Sequence, residues 1–155
     1  MTEFIYPQNS NTSNKPECVF GLFGTGGFAR EVMPLVNEHF SALEQSNTEF
    51  SYRIFYVDTQ PEVKEVNGYP LISEKDFFEI KCNERFFNIA IGDSRVRELI
   101  SNKCIANGAK PITIRSKNSI IYDCNEISQG GIICAYSIIT SNAKIGRFFH
   151  SNIYS

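Results

Sequence analysis

The sequence contains no tryptophan, only two histidines and only two methionines, and no C-x-x-C pair among its five cysteines. Those cysteines, at 18, 82, 104, 124 and 134, are odd in number and have no histidine at zinc-ligand spacing, which argues against both a disulfide framework and a structural metal site. They read as small buried hydrophobes in a reducing compartment, and no metal ligand is assigned. No apolar run approaches the roughly 18 residues of a spanning helix, and the N-terminus lacks the basic and apolar regions of a signal peptide. The expectation is a cytoplasmic protein without membrane insertion. Positive charge is also short: a formal charge of -2 and a pI near 5.7 leave no basic surplus for a phosphate backbone, so nucleic acid is not an expected partner.

What is present is enough for one ordinary domain or a compact domain with a smaller appendage. The chain has 155 residues, 42% apolar and 21% charged. Residues 1–17, "MTEFIYPQNSNTSNKPE", show neither helical nor strand periodicity and read as a flexible tail. "CVFGLFG" then reads as a buried strand. The next segment, "TGGFAREVMPLVNEHF", places Phe28, Val32, Leu35, Val36 and Phe40 on one helical face. Pro34 lies inside that helix, and a kink or break near Arg30 is expected.

"YRIFYVD" is a second strand ending on Asp58, "VNGYPLI" carries an Asn-Gly turn, and Ser73 with Asp76 has the spacing of a capping box. "RFFNIAIGD" is a further strand. Ser94 can cap a helix whose inward face is Val96, Leu99, Ile100 and Cys104, stopped by Gly108, and "KPITIRS" is one more strand. Strands alternating with helices predict an α/β unit over 18–115. It would be a small parallel sheet covered on both faces, with ligands at the carboxyl ends of its strands.

Beyond Ser116 the helical signal stops. Ile121, Ile127, Ile133, Ile139 and Ile145 recur every six residues. Four places later stand Gly131, Ser137, Ala143 and Ser155, with Asn125 and Phe149 as departures. Two linked positions in one register predict hexapeptide repeats, so residues 116–155 are read as a partial β-helix of about two triangular coils. Ile120, Ile132 and Ile138 precede hexad isoleucines and are expected to point outward. Apolar groups there imply a subunit contact, around a threefold axis.

The candidate substrate-binding residues are Gly24, Thr25, Gly26, Gly27, Asp58, Gly92 and Asp93. Glycines between a strand and a helix N-terminus let a phosphate approach free amides and the positive end of the helix dipole, although Ala29 replaces the third glycine of G-x-G-x-x-G. A tight turn without a ligand would use the same glycines. Asp58 is placed to accept from a ribose or base but equally serves a turn, and "GDS" after the fourth strand is also what a helix start needs. His39 and His150 have no partner carboxylate at a recognisable spacing. No catalytic residue is assigned, and the cysteines lack an activating neighbour.

In order, "GLFGTGGFAREV", "FYVD", "VNGYPLIS", "IAIGDSRVRELI" and "SNAKIG" resemble the sugar acetyltransferase family that includes sialic acid O-acetyltransferases and UDP- or TDP-4-amino-sugar N-acetyltransferases. The resemblance covers residues 18–155. It implies a Rossmann-like domain that binds a UDP- or TDP-sugar, then a left-handed β-helix that forms a homotrimer, with acetyl-CoA as co-substrate in bacterial surface glycan synthesis. It further implies that the family's catalytic histidine would fall a few residues past Ser155, so that these 155 residues would bind the nucleotide sugar without turning it over. Two other readings remain open from the residues: a non-catalytic, trimerising sugar-nucleotide module, and an NAD-binding oxidoreductase domain.

Overall fold

The computed structural model describes residues 18–47 and 49–155; the expected tail, residues 1–17, lies outside them. The chain runs β1 (Cys18–Phe23), α1 (Gly27–Ser46), β2 (Tyr52–Asp58), β3 (Glu65–Val66), β4 (Tyr69–Ser73), α2 (Glu74–Glu79), β5 (Glu84–Ile89), α3 (Ser94–Ala106) and β6 (Lys110–Pro111). These strands form one sheet in the order β3-β4-β2-β1-β5-β6, parallel except for β3. Central β1 is buried along its whole length and feeds two cores by alternation. Phe20 and Leu22 pack with Ala29, Val32, Met33, Val36 and Phe40 of α1. Val19 and Phe23 pack with Phe77 of α2, Phe87 of β5 and Cys104 of α3. The Rossmann-like layering follows from that alternation, with helices on both faces.

Local chemistry sets the connections. Asn67 and Gly68 both take positive φ, 50° and 81°, and close the β3–β4 hairpin. Ser73 Oγ accepts the Asp76 N–H at 3.0 Å, so the predicted capping box holds α2. The break expected at Pro34 is absent: α1 is continuous from Gly27 to Ser46. Pro34 and Arg30 both lie on the exposed side, so the carbonyl that loses its partner faces water, while the opposite side is fixed by the core.

Two further expectations are corrected. Asp93, not Ser94, caps α3, and Val96 and Leu99 are exposed, Leu99 by 70%. The inward row is Arg97, Ser101 and Cys104: Arg97 turns its guanidinium onto the carbonyls of Ile91 and Gly92, which rotates Val96 and Leu99 outward. "KPITIRS" is not one strand. Its first residues form β6 beside β5, and Ile114–Arg115 form β7, which already belongs to the repeat.

The repeat is a left-handed β-helix built from β7, β8 (Ile120–Ile121), β9 (Glu126–Ile127), β10 (Ile132–Ile133), β11 (Ile138–Ile139), β12 (Lys144–Ile145) and β13 (His150–Ser151). Its three parallel faces are β7-β10-β13, β8-β11 and β9-β12. The corners carry a second six-residue rhythm that composition conceals: Cys124, Gly130, Tyr136, Asn142, Phe148 and Tyr154 all have φ between 55° and 79°. Each coil therefore turns through left-handed backbone, mostly at residues with a Cβ, which is tolerated only where stacked coils hold it. Cys124 sits at such a corner and is exposed, unlike the buried Cys18, Cys104 and Cys134.

Ile120 and Ile138 point outward and stack in register, 48% and 53% exposed. Ile132 departs from the expectation of exposure. It leaves the coil on the face that meets the sheet unit, and with Ile114 it is fully buried in the core formed by Val32 and Val36. The outward row of the β7-β10-β13 face thus seats the β-helix against α1.

Candidate functional site

The strand order reverses beside β1, whose neighbours β2 and β5 are reached by crossovers on opposite faces, and a crevice opens at the carboxyl ends of the strands there. A cleft of about 940 Å³ occupies it, continuing from the sheet onto the β-helix. Gly27, Phe28 and Glu31 of α1 line one side, and Gly92 and Arg97 another. Gly146 to His150, with Asn152 and Ile153, close the third.

Of the predicted site residues, Gly27 and Gly92 line this cleft directly. Gly24 has a structural reason to be glycine: its φ is 111°, and a Cβ would lie 2.9 Å from the Ala90 carbonyl oxygen. Its amide is taken by the Val57 carbonyl at 3.2 Å. Gly26, Gly27, Gly92 and Gly146 differ. None has a positive φ, and a Cβ on any of them would meet nothing within 4 Å. Neither backbone geometry nor packing calls for glycine there, and three of the four border the cleft. Thr25 offers its carbonyl to Arg30 Nε at 3.2 Å, which fixes the loop between β1 and α1.

Asp58 and Asp93 stand on the same edge of the sheet with local partners. Asp58 accepts from the Thr59 hydroxyl at 3.3 Å and the Gln60 N–H at 3.2 Å. Asp93 accepts the N–H groups of Arg95 and Val96 at 2.8 and 3.1 Å. By contrast, the N-terminus of α1 has no side-chain cap and no acidic residue in its first turn. Its first amides and the positive end of its dipole face the cleft unneutralised, whereas α2 and α3 are capped by their own side chains.

The reading of the sequence missed Phe28, Glu31, Arg97, Arg147 and His150. Arg97 Nη1 donates to the carbonyls of Ile91 and Gly92 at 2.9 and 2.8 Å, holding the glycine turn after β5 in place. His150 is the greater surprise. Its Nε2 meets the Ile89 carbonyl at 2.8 Å, and its ring lies against Phe28 with centroids 4.8 Å apart. Burial holds its pKa below the ordinary histidine value. The bond to Ile89 pulls the other way, and the Arg97 charge adds to the lowering. Neither histidine is paired with a carboxylate among the described residues; burial lowers His39 in the same sense. Cys104 is no nucleophile: burial, reinforced by Glu74, pushes its thiol up to about 12. No helix of the described residues is long and apolar enough to cross a membrane.

The sequence profile of the PglD N-terminal domain matches residues 20–104, more than half of the chain. A GDP-perosamine N-acetyltransferase of Escherichia coli O157:H7 is 36% identical over 137 residues, which cover 88% of this chain and 60% of that protein. Among solved structures, WeeI from Acinetobacter baumannii AYE superposes with a TM-score of 0.78 at 35% identity, covering 88% of this chain and 62% of that one. The acetyltransferase domain of PglB from Neisseria gonorrhoeae FA1090, in complex with acetyl coenzyme A, gives a TM-score of 0.71 at 20% identity, over 90% and 63% of the two chains, a likeness of fold. This chain thus spans about three fifths of the length of these relatives.

Proposed function

The chain belongs to the PglD N-terminal domain family of sugar N-acetyltransferases, and from that membership we propose that its cleft binds a nucleotide sugar at the bare N-terminus of α1. The carrying observation is that uncapped terminus, facing glycines which neither φ nor packing requires. A diphosphate is the anion that would use both the free amides and the open space above them. Gly24 to Gly27, Asp58, Gly92 and Asp93 are proposed as the nucleotide-sugar contacts, with Asp58 and Asp93 acting through the turns they hold. In this reading the expected division into a nucleotide-sugar-binding domain, residues 18–115, and a β-helix, residues 116–155, is kept with its boundary moved back to Ile114, where β7 begins the first coil.

The base is widened from uracil or thymine to include guanine, because the relative of 36% identity acts on GDP-perosamine. For the whole protein the proposal is transfer of an acetyl group from acetyl-CoA to a sugar amine, in cytoplasmic synthesis of a surface glycan. Acetyl-CoA enters through the PglB domain solved with it. For the 155 residues themselves the proposal is binding without turnover.

Titration of the 155-residue chain with GDP-mannose, UDP-N-acetylglucosamine, dTDP-glucose and NAD tests the site. At least one nucleotide sugar is expected to bind and NAD not, and Gly27→Leu should raise Kd by about tenfold or more, equal to ~1.4 kcal/mol. NAD binding in preference to every nucleotide sugar, or no effect of Gly27→Leu, would sink the reading.

The exposed Ile120 and Ile138, with Tyr136 and Tyr154 stacked at 4.9 Å, support a homotrimer through the β-helix. Sedimentation equilibrium should give a trimeric mass that Ile138→Glu converts to a monomer. A wild-type monomer at all concentrations would argue against it.

A further inference from the structure

On the face where the β-helix meets the sheet unit, one outward row runs Ile114, Ile132, His150 in strict register. The first two are fully buried against α1 and need no other explanation. The third continues the same row but arrives at the cleft, and a histidine replaces the isoleucine. The ring is fixed on two sides, by Phe28 and by the Ile89 carbonyl. A carbonyl oxygen only accepts, so Nε2 must carry the proton in this contact. In the neutral ring Nδ1 then holds the lone pair, and no described protein group hydrogen-bonds to it.

Resting on the reading of the cleft as a nucleotide-sugar site, we propose that His150 uses Nδ1 to accept a hydrogen bond from a ligand hydroxyl or amine adjoining the diphosphate, and so is a specificity-determining residue. The placement follows from Phe28, whose ring supports His150 and whose backbone directly follows Gly27 at the start of α1. A group bonded to Nδ1 therefore sits beside the anion rather than on it, and a lone pair is the wrong partner for phosphate oxygen. The groups flanking a diphosphate in such a ligand are the ribose and the sugar. Burial and the Arg97 charge both keep the ring neutral, as an acceptor must be. The remaining charges lining the cleft are Glu31 from α1 and Arg147 from the same coil.

The experiment is ¹⁵N-imidazole NMR on the 155-residue chain, with amide resonances recorded in parallel. The free protein should show His150 protonated at Nε2 and bare at Nδ1; the opposite tautomer would overturn the inference without reference to any ligand. GDP-mannose and GDP are then compared, with the UDP and dTDP pairs used if guanine is not the base. A shift at Nδ1 with the sugar nucleotide alone assigns the sugar as donor, and a shift with both assigns the ribose; either supports the proposal. If amides at Gly27, Phe28 and Gly92 move while Nδ1 does not, the cleft binds its ligand and the inference about His150 is wrong. If no nucleotide moves these amides, the underlying reading fails with it. Replacement gives an independent measure: His150→Phe, which keeps an aromatic ring on Phe28, should weaken binding about tenfold. His150→Gln, which can donate to Ile89 and still present an acceptor, should recover much of that loss. Equal affinity for wild type and His150→Phe would also overturn the proposal.

Discussion

Gly130→Val is expected to lower the stability of the chain by about 2–5 kcal/mol, read as a fall in the midpoint of thermal or urea unfolding. Two costs combine. Gly130 has a φ of 79°, and a left-handed backbone costs a residue bearing a Cβ roughly 1–2 kcal/mol. A Cβ there would also come within 2.6 Å of the Phe148 ring, which is itself held by stacking on Phe87 at 5.8 Å. Neither ring can withdraw cheaply from a packed core, and overfilling of this kind costs about 1–3 kcal/mol. Gly108→Val separates the two costs, since Gly108 has nearly the same φ, 77°, but open space around it. It should lose only the backbone part. Equal losses at the two sites would show that Phe148 yields and that the clash has no weight.

Asn88→Leu is the second change with a large expected effect, about 2–4 kcal/mol. Asn88 is fully buried in β5, and its side chain holds three segments together. Nδ2 donates to the Ile112 carbonyl at 2.7 Å and the Gly131 carbonyl at 3.3 Å, while Oδ1 accepts the Ile89 N–H at 2.6 Å. Gly131 keeps a second partner, the Ile114 N–H at 2.9 Å. Leucine would thus leave chiefly the Ile112 carbonyl and the Ile89 amide unpaired away from water. Because the loss falls on the seam between sheet and β-helix, hydrogen exchange at Ile112 and Ile114 should accelerate more than at Phe20 or Leu22. Uniform acceleration along the chain would instead mean that Asn88 supports the whole fold evenly.

The parts of this fold that were legible in the sequence are those in which one residue type repeats at a period set by the backbone. Five isoleucines six apart announce the β-helix, and apolar strands between glycine turns announce the parallel sheet. The left-handed corners obey the same period yet are Cys, Gly, Tyr, Asn, Phe and Tyr, so no shared side-chain chemistry marks them. "KPITIRS" misled because both of its halves are extended; which sheet each half joins depends on partners far along the chain. Val96 and Leu99 misled because helical spacing names a face but not its direction, and Arg97 settled that direction by reaching the turn after β5.

The site divides in the same way. The glycines could be found because a strand, a turn and a helix start are local features. His150 could not be found from its neighbours in sequence. Its signal lies in the residues stacked beneath it, Ile132 and Ile114, and becomes visible only when the repeat is folded into columns.

The period also restricts how such a chain can change length. The strands of stacked coils pair in a register of 18 residues, as between Ile120 and Ile138 or Ile132 and His150. Inserting one hexad ahead of Lys144 preserves every corner yet moves all later residues to the next face of the triangle, which would carry His150 off the cleft and turn the exposed Lys144 into its place. Only the gain or loss of a whole coil keeps each column on its own face. Length variation ahead of His150 is therefore quantised by the triangle, while length added after it is not.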